Sequence, residues 1–198
     1  NEIAGVPFAL HLEVQRNQAP DTSYDGRHRL VFSIASSPNP EYPPALDLEF
    51  QNGKAVTEPL FRFYNTLSEY RIKAREETPG GAEGCSEPIV LAPGELGGFR
   101  LEISSPQKNK HPLQGTNLLT AIDVFNNIKT DYQGATTISA SEGSIAGLAA
   151  GCDLVRGSDF NNGVADLSAL GLKINLPGVG DEGKLVKFSA SGDNHTGH

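Results

Sequence analysis

Short runs in which apolar and polar residues alternate follow one another along the chain, and turn residues separate them. The clearest run, residues 10–14, leads through a polar turn to a Tyr-x-Gly corner at residues 24–26 and then to residues 30–34. Alternation with a period of two predicts β-strands with one buried face. Further runs that predict strands are 46–50, 55–64, 70–75, 88–91, 99–103, 118–125, 136–140, 163–169, 172–176 and 185–190. Many short strands between closely spaced turns predict an all-β sandwich or barrel.

The pattern of the first half of the chain recurs in the second half. Around the corner, Leu10, Val14, Thr22, Tyr24 and Gly26 match Leu118, Ile122, Thr130, Tyr132 and Gly134 at one constant offset. An Asn-Gly pair, which favours a hairpin because both residues accept positive φ, then closes a run in each half. Residues 70–74 finally match residues 186–190. Matched blocks in the same order indicate an internal repeat, with two copies of one structural module.

Composition narrows the classes of function. The chain has 198 residues and a formal net charge of −8, which argues against nucleic-acid binding because that requires a basic surface. It contains neither Met nor Trp, so neither a Met-rich surface nor a Trp platform for sugars is available. No long apolar run predicts a membrane span. We expect neither an enzyme nor a cofactor, since no P-loop, nucleophile elbow, dinucleotide fingerprint or metal-binding histidine spacing occurs.

The repeated blocks also resemble those of a known family. The corner reads Thr-x-Tyr-x-Gly at residues 22–26 and 130–134, and the turn reads Phe-x-Asn-Gly-x-Ala at residues 50–55 and 160–165. In both respects the chain resembles the tandem immunoglobulin-like repeats of large secreted and surface proteins of bacteria. The resemblance implies two immunoglobulin-like β-sandwich domains in series, which we expect at residues 1–94 and 95–198. It also implies an extracellular or cell-surface location.

The two copies differ at their ends. The second copy begins with an alternating run at residues 99–103 that the first copy lacks. The first copy closes with an apolar run at residues 88–91 that the second lacks, and residues 192–198 read as a solvated tail. We therefore expect the domain of residues 1–94 to lack a first strand, and the domain of residues 95–198 to lack a last one. Two explanations stay open: a longer array was cut here, or a neighbouring subunit donates a strand.

The residues of the repeated corner and turn are interpreted as structural. Tyr24 and Tyr132 are expected to pack their rings in the core and to bond their hydroxyls to the backbone. Gly26 and Gly134 complete the corners. The turns consist of Asn52 with Gly53 and of Asn162 with Gly163. Apolar positions of both copies predict the core: Leu10, Leu12, Val14, Val31, Phe50, Ile72, Leu118, Ile122, Ile138, Phe160 and Phe188.

One polar cluster offers oxygen ligands of the kind that calcium prefers. Its members are Asp123, Asn126, Asn127 and Asp131, which gather around one turn of the second copy. Turn chemistry alone also explains Asn and Asp at such positions, so both interpretations stay open.

Cys85 and Cys152 are the only cysteines, which are too few for a disulfide scaffold. A single bridge between them is compatible with an exported protein, and two free thiols are the alternative.

These features favour a structural role: a stalk, spacer or filament segment joined to neighbouring immunoglobulin-like domains or to identical subunits. The alternative is a binding module, namely an adhesin or an accessory domain of a secreted protein that recognises a surface glycan, another carbohydrate or a protein. A binding module needs an exposed aromatic or acidic patch. The candidates for the aromatic patch are Tyr42, Phe61, Phe63 and Tyr64.

Overall fold

The computed structural model describes residues 2–34, 40–148, 151, 153–178 and 183–198. This part of the chain contains many short β-strands, one 3-10 turn at Gly157–Asp159 and no α-helix. The predicted all-β class is therefore confirmed. The chain divides into two compact units, Asn1–Ala92 and Pro93–His198, each with a hydrophobic core of its own.

The first unit is organised around a four-stranded antiparallel sheet. Its strands are β1 (Glu2–Ile3), β2 (His11–Glu13), β3 (Gln15–Arg16), β4 (Ala19–Pro20), β5 (Gly26–Ile34), β6 (Ala45–Phe50), β7 (Lys54–Val56), β8 (Ile72–Glu76), β9 (Glu83–Cys85) and β10 (Leu91–Ala92). The sheet has the order β6-β5-β8-β9, while β2 pairs with β7 and β3 with β4. β1 and β10 pair in parallel, so the first and last strands of this unit lie side by side.

Aromatic rings fill the core of the first unit. Phe61, Phe63 and Tyr70 are completely buried, and the rings of Phe63 and Tyr70 stack with 4.2 Å between their centroids. Burying each such ring contributes about 1.5–3 kcal/mol. The strand predicted over residues 55–64 is reduced to β7, because Pro59 has no N–H to donate to a ladder. Beyond it, Phe61 meets Phe8 in a single bridge.

The second unit is organised around a seven-stranded sheet. Its strands are β11 (Leu96–Ile103), β12 (Asn117–Asp123), β13 (Thr136–Ala140), β14 (Ser144–Ala146), β15 (Leu154–Val155), β16 (Val164–Asp166), β17 (Lys173–Asn175), β18 (Phe188–Gly192) and β19 (His195–Gly197). The sheet has the order β15-β13-β18-β19-β11-β12-β16, and β14 pairs with β17. β11 connects its two halves, because it is antiparallel to β12 and meets β19 in parallel at Phe99.

The end of the chain is part of this sheet rather than a solvated tail. Asp193 and Asn194 both have positive φ, which is typical of a two-residue hairpin turn, and they fold β19 back onto β18. The prediction for residues 192–198 was wrong because no apolar alternation marks a strand that consists of His, Thr and Gly.

The predicted core residues fall into two groups. Phe50, Ile72, Ile138 and Phe160 are buried, and the others are half-buried: Leu10, Leu12, Val14, Val31, Leu118, Ile122 and Phe188. On β12 the completely buried apolar residues are Leu119 and Ala121, which face away from Leu118 and Ile122. Both faces of this strand carry apolar residues, so alternation alone does not identify the inner face.

Candidate functional site

The repeated corner places a tyrosine ring against the core in each unit. Tyr132 is buried and packs edge-to-face on Phe160, with 4.9 Å between the centroids. Its hydroxyl lies 3.2 Å from that of Thr136, and burial raises the pKa of Tyr132. Tyr24 packs edge-to-face on Phe50 in the same way, at 5.0 Å. Such pairs contribute about 0.5–1.5 kcal/mol beyond the area they bury, so the geometry supports a structural role for both tyrosines.

The two corner glycines are needed for different reasons. Gly26 has a φ of 90°, and a Cβ added there would meet nothing within 4 Å. Gly134 lies outside the left-handed region, but a Cβ there would be 2.5 Å from the Tyr132 hydroxyl and closer still to the Asp193 carboxylate. Gly26 therefore serves a backbone conformation, whereas Gly134 serves close packing.

Both Asn-Gly turns have positive φ at both residues. The values are 51° and 75° at Asn52 and Gly53, and 48° and 78° at Asn162 and Gly163. Each glycine also lies against a backbone carbonyl just before the corner of its unit. A Cβ on Gly163 would lie 2.5 Å from the carbonyl oxygen of Lys129, and one on Gly53 would overlap the carbonyl oxygen of Asp21. Turn geometry and tight packing thus both account for these residues.

Asp123 is the buried centre of the predicted calcium cluster. Its Oδ1 accepts hydrogen bonds from the backbone N–H groups of Phe125 and Asn127, both at 2.8 Å. Its Oδ2 accepts hydrogen bonds from the backbone N–H of Gly94 at 2.9 Å and from the side-chain amide of Asn127 at 2.8 Å. Because both carboxylate oxygens are occupied by protein donors, the buried charge is stabilised without a cation.

The other members of this cluster have separate environments. Asp131 is exposed and forms an ion pair with Lys129 at 2.9 Å. Asn126 is exposed and has a φ of 65°, which suits a turn. Within the described residues, no group of three or more His, Cys, Asp or Glu side chains could hold a metal ion. The geometry favours the turn interpretation over the calcium interpretation.

A titratable cluster that the sequence did not reveal lies beside the first corner. His28 Nδ1 lies 2.9 Å from the Glu76 carboxylate, and the His28 ring stacks on Tyr24 with 4.0 Å between centroids. The hydrogen bond with Glu76 raises the pKa of His28, and the same bond lowers the pKa of Glu76. Burial, reinforced by Glu76, raises the pKa of Tyr24 to about 12. The Tyr24 hydroxyl has no hydrogen-bonding partner of good geometry among the described residues, contrary to the predicted backbone bond.

The remaining candidates are the predicted aromatic patch and the predicted disulfide bridge. Phe61 and Phe63 are both 0% exposed, so the predicted aromatic patch is wrong for these two residues, while Tyr42 and Tyr64 are half-buried. Cys85 is exposed on β9, and Cys152 lies outside the described residues, so the bridge between them stays a prediction.

An open groove lies in the second unit. It has a volume of about 1170 Å³ and lies between β11 and the segment that leads into β18. Its apolar lining includes Leu101 and Ile103 of β11, together with Val186 and Phe188. All four side chains are half-buried, while Leu185 at the rim is 86% exposed. Apolar side chains of the groove are thus partly open to solvent.

Amide side chains fix one end of this groove. Asn109 Nδ2 donates to the carbonyl of Leu176 at 2.9 Å, and the Leu176 N–H donates to Asn109 Oδ1 at 2.9 Å. Gln107 Nε2 donates to the carbonyl of Ser104 at 2.7 Å. At another point of the lining, His198 Nδ1 lies 3.3 Å from the hydroxyl of Ser189. The groove is therefore built by residues that are far apart in the sequence.

The groove belongs to the region where the sequence predicted a missing last strand. That expectation, like the expected lack of a first strand in residues 1–94, stays a prediction. The sequence could locate the difference between the copies, because the run at residues 88–91 has no later match. It could not reveal which side chains line the opening.

No protein-family model matches the chain, and no curated protein matches it in sequence. Within the described residues, no helix has the length and apolar character needed to cross a membrane.

Proposed function

We propose that the chain is an extracellular structural module, a segment of a stalk, spacer or filament made of two immunoglobulin-like β-sandwich domains in series. The confirmed all-β class and the repeated corner and turn blocks support this proposal, as does the resemblance to tandem repeats of bacterial surface proteins. Its partners are neighbouring immunoglobulin-like domains or identical subunits.

The parallel pairing of the first and last strands in each unit carries the proposal. In the first unit Glu2 pairs with Leu91 and Ile3 with Ala92, and in the second unit Phe99 pairs with Gly197. Because parallel strands run in the same direction, the chain enters each unit at one end of the pair and leaves near the other. A module with this topology adds length when it is repeated.

The binding-module alternative has less support. Two of its four aromatic candidates, Phe61 and Phe63, are inside the core of the first unit. A glycan array tests it directly, because a spacer should retain no glycan above background.

Small-angle X-ray scattering of the purified chain tests the spacer proposal. A single compact body of this length has a radius of gyration of about 16 Å, and two domains in series exceed that value clearly. We expect an elongated particle with a two-lobed distance distribution. A radius of gyration near the compact value would contradict the proposal.

A further inference from the structure

We propose that the free edge of β6 in the first unit binds an extended segment of another protein, in which basic residues alternate with apolar ones. The segment would add a strand to the sheet beside β6. This inference goes beyond the proposed function and does not depend on it, because a spacer and a binding module can each present such an edge.

β6 (Ala45–Phe50) is the longest strand at a sheet edge in the described part of the chain. The four-stranded sheet ends at β6 and β9, and the seven-stranded sheet ends at β15 and β16. β6 has six residues, whereas each of the other three has two or three. An unpaired edge is a template for an added strand, and a longer edge offers more backbone groups.

The edge position of β6 is a property of the fold. β6 and β5, its one neighbour in the sheet, are described over their whole lengths. The second unit has β15 in the same place, at the end of the order β15-β13-β18-β19, although β11 is also part of that sheet. The strand that only the second unit has therefore lies elsewhere and does not cover this edge.

The backbone of β6 points outward at every second residue. The N–H of Phe32 donates to the carbonyl of Pro44 at 2.9 Å, which fixes the phase of the ladder between β5 and β6. Hydrogen-bonded pairs alternate with non-bonded pairs along such a ladder. The N–H and C=O groups of Ala45, Asp47 and Glu49 therefore face away from β5, and they have no hydrogen-bonding partner among the described residues.

The side chains of β6 divide between two faces. Leu46 and Leu48 pack against the core of the first unit but are only half-buried. Asp47 and Glu49 are exposed on the opposite face, since side chains alternate across a strand. Apolar residues of an added strand would cover the two leucines, and the residues between them would meet the two carboxylates.

β5 shows which sequence fits beside β6. Arg27 lies opposite Glu49, and Arg29 lies opposite Asp47. Both arginines form ion pairs with Asp47, at N–O distances of 3.1 and 3.6 Å. Glu49 is exposed and forms no ion pair in the described part of the chain. Because opposite charges on neighbouring strands stabilise their pairing, a basic residue on the free side would supply the partner that Glu49 lacks.

A second copy of this chain is not the expected partner. Pairing of β6 with the β6 of a second copy would set Asp47 opposite an aspartate or a glutamate, and like charges across a strand pair are destabilising. β5 and β8 carry alternating basic residues, but both have a strand on each side. The net charge of −8 also favours association with a basic partner.

Two capped peptides with the sequence Lys-Val-Lys-Val-Lys serve as probes, because N-methyl groups can block either edge of such a strand. In the test peptide the valine nitrogens are methylated, so the lysine N–H groups stay free to pair with β6. In the control peptide the lysine nitrogens of the backbone are methylated instead. The two peptides have the same charge and differ only in which edge can form hydrogen bonds.

The test peptide is titrated into the full 198-residue chain, and binding is followed by NMR amide shifts. We expect saturable shifts at Ala45, Asp47 and Glu49, whose N–H groups gain acceptors. Leu46 and Leu48 should show smaller shifts, since their N–H groups already face β5. The control peptide should bind more than about tenfold more weakly, because it has lost the backbone donors that face β6.

A charge reversal on β6 tests the electrostatic part of the proposal. Glu49→Lys should weaken binding of the test peptide by about two- to fivefold at low salt, and by less at high salt. The fold should tolerate this change, since Glu49 is exposed. Glu87→Lys is the matched control, because Glu87 is also exposed and follows β9, the strand at the opposite edge of the sheet. It should leave binding of the test peptide unchanged.

Three results would overturn the proposal: no saturable shifts on β6, equal binding of the two peptides, or shifts confined to β9, β15 or β16. Amide shifts at Asp47 and Glu49 that depend on the concentration of the chain alone would also overturn it, because a second copy would then occupy the edge. Tighter binding of the test peptide than of the control, together with the loss in Glu49→Lys, would support it.

Discussion

In the first unit the chain runs on past β9 and buries Leu91 in the core, whereas in the second unit β19 ends at Gly197 beside an open groove. Both units nevertheless have the same local strand order, β5-β8-β9 in one and β13-β18-β19 in the other. The shared order shows that the corner, the Asn-Gly turn and the central strands form the framework common to both units.

The two units also differ in how their strands are joined into sheets. β11 connects the two halves of the large sheet in the second unit, whereas in the first unit β2 with β7 and the sheet of β6-β5-β8-β9 stay separate. The two units thus differ in how their sheets are connected.

The largest effect is expected at the turn around Asp123, because the first unit has Gln15 at the matching position. Asp123→Ala should lower the free energy of unfolding of the second unit by about 3–5 kcal/mol, because it leaves buried donors unpaired. Gln15, the matching residue of the first unit, is exposed, and Gln15→Ala should change stability by less than about 0.5 kcal/mol. Urea unfolding followed by NMR signals of each unit measures both. Equal losses would show that the two turns do not differ in importance.

Substitution of the corner glycine should destabilise each unit for a different physical reason. Gly134→Ala should destabilise the second unit by about 2–3 kcal/mol, because the added methyl group overlaps the Tyr132 hydroxyl and the Asp193 carboxylate. Gly26→Ala should cost the first unit about 1 kcal/mol, from its positive φ alone. The same unfolding measurement applies, and a reversed order would contradict the packing argument.

The third comparison is a pH dependence that only the first unit should show. The raised pKa of His28 means that its contribution is complete below the ordinary value of 6.5 and is lost as the pH rises through the raised pKa. The lowered pKa of Glu76 means that its contribution is complete above the ordinary value of 4.5 and is lost as the pH falls through the lowered pKa. This pair should therefore stabilise the first unit most between those two values.

Unfolding at about pH 5.5 and about pH 8.5 measures the alkaline loss, which we expect to be at most about 1 kcal/mol for a pair that water still reaches. His28→Thr introduces the residue type that Thr136 supplies in the second unit, four residues after the corner tyrosine. It should abolish the loss between these two pH values. A loss that persists in this variant would assign the dependence to other groups.

The smallest effect is expected at the rim of the turn around Asp123. Asp131→Asn removes an exposed ion pair with Lys129 and should change the stability of the second unit by less than about 0.5 kcal/mol. Millimolar calcium should leave the melting temperature of both the parent chain and this variant unchanged. A calcium-dependent rise in the parent chain that Asp131→Asn removes would restore the calcium interpretation.

The sequence predicted the strands where period-two alternation and a turn signal coincide, as at β5, β6 and the two Asn-Gly turns. It failed where burial depends on distant residues. Phe61 and Phe63 lie beside a proline-containing loop and read as exposed, yet they pack against Phe8 and Tyr70 from other parts of the unit.

Two further features could not be predicted from the local sequence pattern, for physical reasons. On β12 both faces are apolar, so the choice of Leu119 over Leu118 as the inner residue is made by the strands that pack on it. The pairing of His28 with Glu76 joins residues on β5 and β8 that are distant in the sequence. The pattern of residues predicts strands and turns. It does not predict side-chain partners, because these come together only when the sheets assemble.

The side-by-side, same-direction arrangement of β1 and β10 has a mechanical consequence. Tension applied at the two ends of the first unit would slide these strands along each other, so their hydrogen bonds would share the load instead of breaking one after another. Two residue pairs and the Ala4 bond resist such shear in the first unit, whereas a single pair, Phe99 with Gly197, does so in the second. Under steady load the second unit would yield first.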